Sequence, residues 1–250
     1  MAHEFQGWSG RDGDNRRVSG KIIGLLGELM NLLANIWAHL KEKGISRTLS
    51  IMLNRMLDFH FDFKYKTDTR NKISLHDLTV TGENKEHGSF YQPTMALSFN
   101  RLLERVPLPR ESVLVDFGCG KGRVLLLAVL RGIKKAVGIE FSPELCTIAR
   151  DNVKVVERAT GLRLDIAVIE GDVTHYEIED DQNVFFFFNP FDDVILEAVV
   201  KNIKKSLQRK PREIAVIYYN PVHSHILDNS FLPRNSYIIG GEEYMLYVNC

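Results

Sequence analysis

Asp116-Phe117-Gly118-Cys119-Gly120-Lys121-Gly122 places one acid and three alternate glycines in a single short stretch. Glycines at this spacing let the backbone turn sharply and let a ligand approach it closely. Nucleotide, dinucleotide and adenosyl-ligand folds all use such a turn, so the turn alone does not choose among them. Two further acids sharpen the reading. Glu140 follows Gly120 by twenty residues, where a carboxylate can accept hydrogen bonds from both hydroxyls of a ribose. Gly171-Asp172 brings a third carboxylate within reach of a base amino group. Three acids suit a ligand with a ribose and an amine but no phosphate. A pyrophosphate would be repelled by Asp116, which can instead engage the amino-acid end of an adenosyl ligand, directly or through water.

These acids are useful only if the chain carries them to one edge, and the surrounding pattern predicts that it does. Apolar runs at Ser112–Phe117, Lys135–Phe141, Leu164–Glu170, Asn183–Asn189 and Glu213–Asn220 alternate with helical stretches, the signature of a parallel sheet with its strands buried on both faces. Ser142-Pro143-Glu144 is a compact helix start, with a side-chain cap, a proline whose missing N–H costs nothing there, and an acid at the positive helix end. That helix is expected to run to about Thr160, and Asp192 or Asp193 caps another reaching about Leu207. The last two strands, Asn235–Ile239 and Glu243–Val248, flank Gly240-Gly241 and predict an antiparallel hairpin. The four aromatics Phe185–Phe188 fit the centre of a covered sheet. The fold class expected is α/β, an open doubly wound Rossmann-like sheet.

The chain has 250 residues, 44% hydrophobic and 26% charged, with 32 Lys plus Arg balancing 32 Asp plus Glu. Size and composition fit one α/β domain with an appendage and exclude disordered, collagen-like and coiled-coil classes. The zero net charge leaves no global field to hold a nucleic-acid backbone. Three cysteines, Cys119, Cys146 and Cys250, fit neither a disulfide framework nor a CxxC zinc pair and favour a reducing compartment, with the cytoplasm expected. Residues 21–40 are the most apolar stretch, but Glu28, Asn31, Asn35 and His39 form a polar stripe opposite Leu25, Leu29, Leu33 and Ile36, which predicts an amphipathic helix. A second follows the Ser46 cap. Residues 1–63 therefore read as an N-terminal amphipathic helical extension, and 64–250 as the catalytic domain with its entry loop. The extension is expected to pack on the domain, or to dimerise or contact a membrane surface through residues 21–60, the membrane reading drawing on Trp37 and Lys21 and on Arg16 and Arg17 just upstream.

With these motifs in place, the chain resembles the class I S-adenosylmethionine-dependent methyltransferases. VLVDFGCGKGRVLLLA is similar to their first motif, VGIEFSPELCTIARDN to the acidic segment after it, VIEGDV to the adenine-contacting segment, and FFFFNPF to the fourth motif; the resemblance covers about Tyr91 to Val248. It implies seven strands in the order 3-2-1-4-5-7-6, with the seventh antiparallel. It implies S-adenosyl-L-methionine as cofactor, bound by Tyr91, Asp116, Phe117, Gly118, Gly120, Gly122, Glu140, Phe141, Asp172, Val173 and Asn189. More narrowly, FDFKYKTDTR, GENKEHGSFYQPT and DFGCGKGR together resemble a bacterial group of methyltransferases, a match that names a chemistry but no acceptor.

Methyl transfer from a sulfonium is an in-line displacement, so orientation supplies most of the catalysis. Asn189-Pro190-Phe191 stands where methyltransferases acting on amino groups carry an Asp, Asn or Ser, two prolines and an aromatic residue. The polar side chain and a backbone carbonyl there accept hydrogen bonds from the target nitrogen. One proline here makes the match partial; the plain structural alternative is that Asn189-Pro190 only ends a strand. Asn189, Pro190 and Phe191 are the catalytic candidates, and Tyr91 is the candidate lid contact in a loop that also holds Glu86, His87 and Pro93. His87 is either a general base or a solvated loop residue. His223 and His225 lack a third ligand, and no metal is expected. Cys119 is a small residue that fits the turn, although a helix start could lower its pKa. Lys201, Lys204, Lys205, Arg209, Lys210 and Arg212 read as a solvated helix face, the alternative being a landing strip for nucleic acid or an acidic protein. The acceptor expected is a protein or small molecule rather than nucleic acid. Competing readings are a nicotinamide-dependent oxidoreductase, against which Asp116 and Asp172 argue, and a non-catalytic adenosyl-binding scaffold on a membrane surface.

Overall fold

The computed structural model describes residues 37, 59–70, 92–188 and 192–249. The chain divides into two compact units, Met1–Ser50 and Ile51–Cys250, and the sheet lies in the second. Trp37 apart, the helices expected within residues 21–58 lie outside the described residues, as do Glu86, His87, Tyr91 and Asn189-Pro190-Phe191. Among the described residues no helix is long and apolar enough to cross a membrane.

In chain order the elements are α1 (Ala96–Leu103), β1 (Val113–Phe117), α2 (Arg123–Leu130), β2 (Lys135–Glu140), α3 (Pro143–Thr160) and β3 (Ile166–Glu170). A 3-10 turn (Val173–His175), β4 (Val184–Phe188), α4 (Asp193–Arg209), β5 (Ala215–Tyr219), α5 (Ser224–Asp228), β6 (Leu232–Ile239) and β7 (Glu242–Val248) complete it. A helical segment over residues 59–65 precedes them. The strands form one sheet in the order β3-β2-β1-β4-β5-β7-β6. β1 to β5 pair in parallel, and β7 runs antiparallel between β5 and β6. This is the Rossmann-like order expected, with its antiparallel final hairpin.

Helices cover both faces, which is why the central strands read as continuous apolar runs. Period-two alternation sends the phenylalanines of β4 to opposite sides. Phe186 meets Phe99 of α1 edge-on at 5.2 Å. On the other face Phe185 and Phe187 stack against Phe117 of β1 at 6.2 and 5.0 Å. All five rings are buried. The caps formed as expected: Ser142 Oγ accepts from the Leu145 amide at 3.3 Å, and Asp192 Oδ1 from the Ile195 amide at 3.2 Å. α4 extends two residues past the expected Leu207, to Arg209. The edge strand β6 carries Pro233 and an irregular register between Pro233 and Asn235, features that blunt an open edge.

Candidate active site

The glycine turn joins β1 to α2 at the carboxyl edge of the sheet. Gly118, Gly120 and Gly122 have φ of 79°, 53° and 79°, the left-handed region in which a Cβ is strained. Main-chain bonds fold the turn onto β2: the amides of Gly118 and Cys119 both donate to Ile139 O, at 2.9 and 3.1 Å. Glu140 fastens the next residue, its Oε2 accepting from the Gly120 amide at 2.9 Å and its Oε1 from the Ser142 amide at 3.0 Å. The spacing argument gave Glu140 to a ribose alone. The structure adds a task, since this carboxylate also ties the turn to the start of α3.

Asp116 and Glu140 end neighbouring strands and are 4% and 3% exposed. Burial, reinforced by the charge of Glu140, pushes the Asp116 carboxyl up to about 8. Burial also raises Glu140, against the opposing pull of the Ser142, Gly120 and Phe141 amides. Two desolvated carboxyls side by side are costly, and a cationic or hydroxyl-rich ligand relieves that cost. Asp172 follows β3 and is partly exposed; its Oδ1 caps the 3-10 turn, accepting from Thr174 N at 2.8 Å and Thr174 Oγ1 at 2.7 Å. Val173 beside it is buried, and Phe141 is half-buried after β2. Phe117 places its ring in the core against Phe187, so a ligand can meet only its main chain.

Sequence reasoning missed several residues that shape this turn. Gly138 on β2 is one: a Cβ there would lie 2.5 Å from Cys119 Sγ and 2.7 Å from Leu125 Cδ1. The signal was a lone glycine inside an apolar strand, which marks a close approach. Lys121 and Arg123 are others. Lys121 is 1% exposed and its Nζ lies 3.0 Å from both carboxylate oxygens of Asp68. Arg123 donates through Nε to Thr69 Oγ1 at 2.7 Å and through one terminal nitrogen to Asp62 Oδ2 at 3.1 Å.

Next to the catalytic candidates, which lie outside the described residues, Phe188 stacks on Tyr219 at 3.9 Å and Tyr219 on Tyr244 at 4.6 Å. These rings are register partners across β4, β5 and β7, so an aromatic row runs along the sheet just before residue 189. Other candidates stay apart from this edge or change character. The rings of His223 and His225 are 6.3 Å apart, and among the described residues no group of three or more metal-ligating side chains assembles. Cys119 is buried, and its thiol is raised, first by desolvation and then by Glu140 and Asp116, which corrects the expectation that the helix start could lower it. In the basic cluster Arg209 is spent on Glu177 and Asp180, and Arg212 donates to Gln182 O at 2.7 Å; the four lysines are exposed.

The donor set fits S-adenosylmethionine better than a dinucleotide. Carboxylates stand at the ends of β1 and β2 and just after β3, and the cations in and beside the turn face Asp68 and Asp62 rather than a phosphate. Residues 114–210 match a family described as a methyltransferase domain. A protein-lysine N-methyltransferase of Saccharolobus islandicus is 24% identical over 133 residues, 52% of this chain and 80% of its own. A ribosomal protein L11 methyltransferase of Hamiltonella defensa is 36% identical over 67 residues, and the match spans only 21% of its length. A solved RNA methyltransferase of Salinibacter ruber, in complex with S-adenosyl-L-homocysteine, is 22% identical, with 62% of this chain and 92% of that one covered at a TM-score of 0.45. The match over residues 114–210 and the donor set at this edge together support an S-adenosylmethionine-dependent methyltransferase.

Proposed function

We propose that the protein methylates an amino group of a protein acceptor. The observation that carries the cofactor half of this reading is the set of carboxylates, Asp116 and Glu140 at the carboxyl ends of β1 and β2 and Asp172 two residues after β3, around a left-handed glycine turn. Bound there, S-adenosylmethionine supplies an electrophilic methyl group on a sulfonium. Asp116 holds the ammonium of the methionine end, Glu140 the ribose hydroxyls, and Asp172 the base amino group, with Gly118, Gly120 and Gly122 allowing close approach. Phe141 and Val173 flank the base, and Tyr91 closes over the methionine end.

Asn189 accepts a hydrogen bond from the target nitrogen and aims its lone pair along the transfer axis, with Pro190 and Phe191 fixing the loop. The aromatic row of Tyr244, Tyr219 and Phe188 ends one residue before it in the chain. A protein acceptor is favoured by the lysine-methylating relative, which aligns over most of its length, and by the shorter match to enzymes named for ribosomal protein L11. The test is transfer of labelled methyl from S-adenosylmethionine to a host-proteome extract, with hydrolysis and amino-acid analysis of the product. Label in methyllysine or an N-terminal methylamine is expected. Label confined to RNA, or to small molecules, overturns the acceptor assignment.

A further inference from the structure

Two cations at the start of α2 run against the helix field, because the N-terminus of a helix is its positive end. Lys121 precedes that end and Arg123 is its first residue, yet they are 1% and 2% exposed. Among the described residues their anionic partners, Asp62 and Asp68, lie in one short segment, residues 62–69. Lys121 Nζ is bidentate to Asp68, and Arg123 spans Asp62, Thr69 Oγ1 and, at 3.3 Å, Thr94 O. Asp62 in turn gathers the segment, its Oδ1 accepting from the hydroxyls of Thr67 and Thr69, both at 2.6 Å.

The main chain closes the same circuit. Asn152 of α3 accepts from the Asp68 amide at 2.9 Å and returns Nδ2 to Asp68 O at 3.1 Å and to Lys121 O at 3.0 Å. Lys121 is thus held by side chain and carbonyl between two of the turn's glycines, while Glu140 holds the preceding Gly120 amide.

We propose that residues 62–69 act as a strap whose docking on Lys121 and Arg123 holds the cofactor turn in its binding conformation, making Asp62 and Asp68 positioning residues for S-adenosylmethionine. The proposal rests on the reading of the glycine turn as the adenosyl site. Linkage then requires reciprocity: if strap docking tightens ligand binding, ligand binding tightens strap docking by the same factor.

The experiment uses the full chain and S-adenosylhomocysteine as probe. Asp68→Asn weakens the dissociation constant roughly tenfold, within the usual range of coupling between sites. Asp68→Glu restores most of the loss, and Lys121→Met added to Asp68→Asn costs little more, because the pair acts as one unit. Ile203→Val, on the buried face of α4, is the control: it lowers the melting temperature and leaves the affinity unchanged. In the unmodified protein, saturating ligand slows hydrogen exchange of the Asp68 and Thr69 amides by a comparable factor, a readout that requires no variant to fold. Binding by Asp68→Asn within twofold of the unmodified protein, or strap exchange indifferent to ligand, overturns the strap. An unmodified protein that does not bind S-adenosylhomocysteine overturns instead the adenosyl reading beneath it.

Discussion

Replacing Asp116 by asparagine tests the electrostatics of the site in its most quantitative form. The carboxyl is fully desolvated beside Glu140 and titrates near 8 rather than at its ordinary 3.8. At pH 7, one unit below that value, roughly nine-tenths of the population carries a proton. A ligand ammonium that pairs with the carboxylate must displace it, so binding of S-adenosylhomocysteine releases about 0.9 proton at pH 7, and its affinity climbs toward tenfold per pH unit between pH 6 and 7 and levels off near pH 8. Titration calorimetry in buffers of different ionisation enthalpy counts the protons. Asp116→Asn should abolish both the release and the pH slope. Stability without ligand moves the other way. Because the folded pKa is raised, the folded state binds the extra proton. The contribution is whole below about pH 4 and is lost as pH rises to about 8, at up to about 1.4 kcal/mol per unit. The difference in unfolding free energy between the unmodified protein and Asp116→Asn should show that slope. Equal proton release by the two proteins, or none by either, refutes the assignment of Asp116 to the ligand's cationic end.

Gly138→Ala drives a methyl into Cys119 Sγ and Cβ, at 2.5 and 2.6 Å; denaturant unfolding should show a loss of about 1–3 kcal/mol, with weaker ligand binding because the turn is displaced. Phe186→Ala empties the contact with Phe99 and should cost about 3–5 kcal/mol in the same assay. Asn189→Ala should leave S-adenosylhomocysteine affinity within a few-fold and lower methyl transfer by roughly a hundredfold. Unchanged turnover would remove Asn189 from the acceptor site.

The sheet was legible because its signals are local. Apolar runs, the Ser142 and Asp192 caps and the Gly240-Gly241 hairpin each state a backbone preference that the structure satisfies. The carboxylates were legible because spacing along a strand-turn-helix unit fixes which edge a residue reaches. What spacing cannot show is pairing across long separations. Lys121 meets Asp68 across 53 residues, and Arg123 meets Asp62 across 61; in sequence both cations look like ordinary turn and helix residues. The same holds for Glu140, whose bond to Gly120 depends on how far the turn folds back over β2. Gly138 was visible as an odd glycine, but its reason, the sulfur of Cys119, emerges only when β1 and β2 lie side by side.

The most direct test of the central claim is a calorimetric titration of the purified full chain with S-adenosylhomocysteine, with NAD in parallel, before and after Glu140→Ala. Saturable one-to-one binding of the adenosyl ligand alone, lost in the variant, is the predicted result. Binding of NAD in its place, or no binding of S-adenosylhomocysteine by protein stripped of retained ligand, would contradict it.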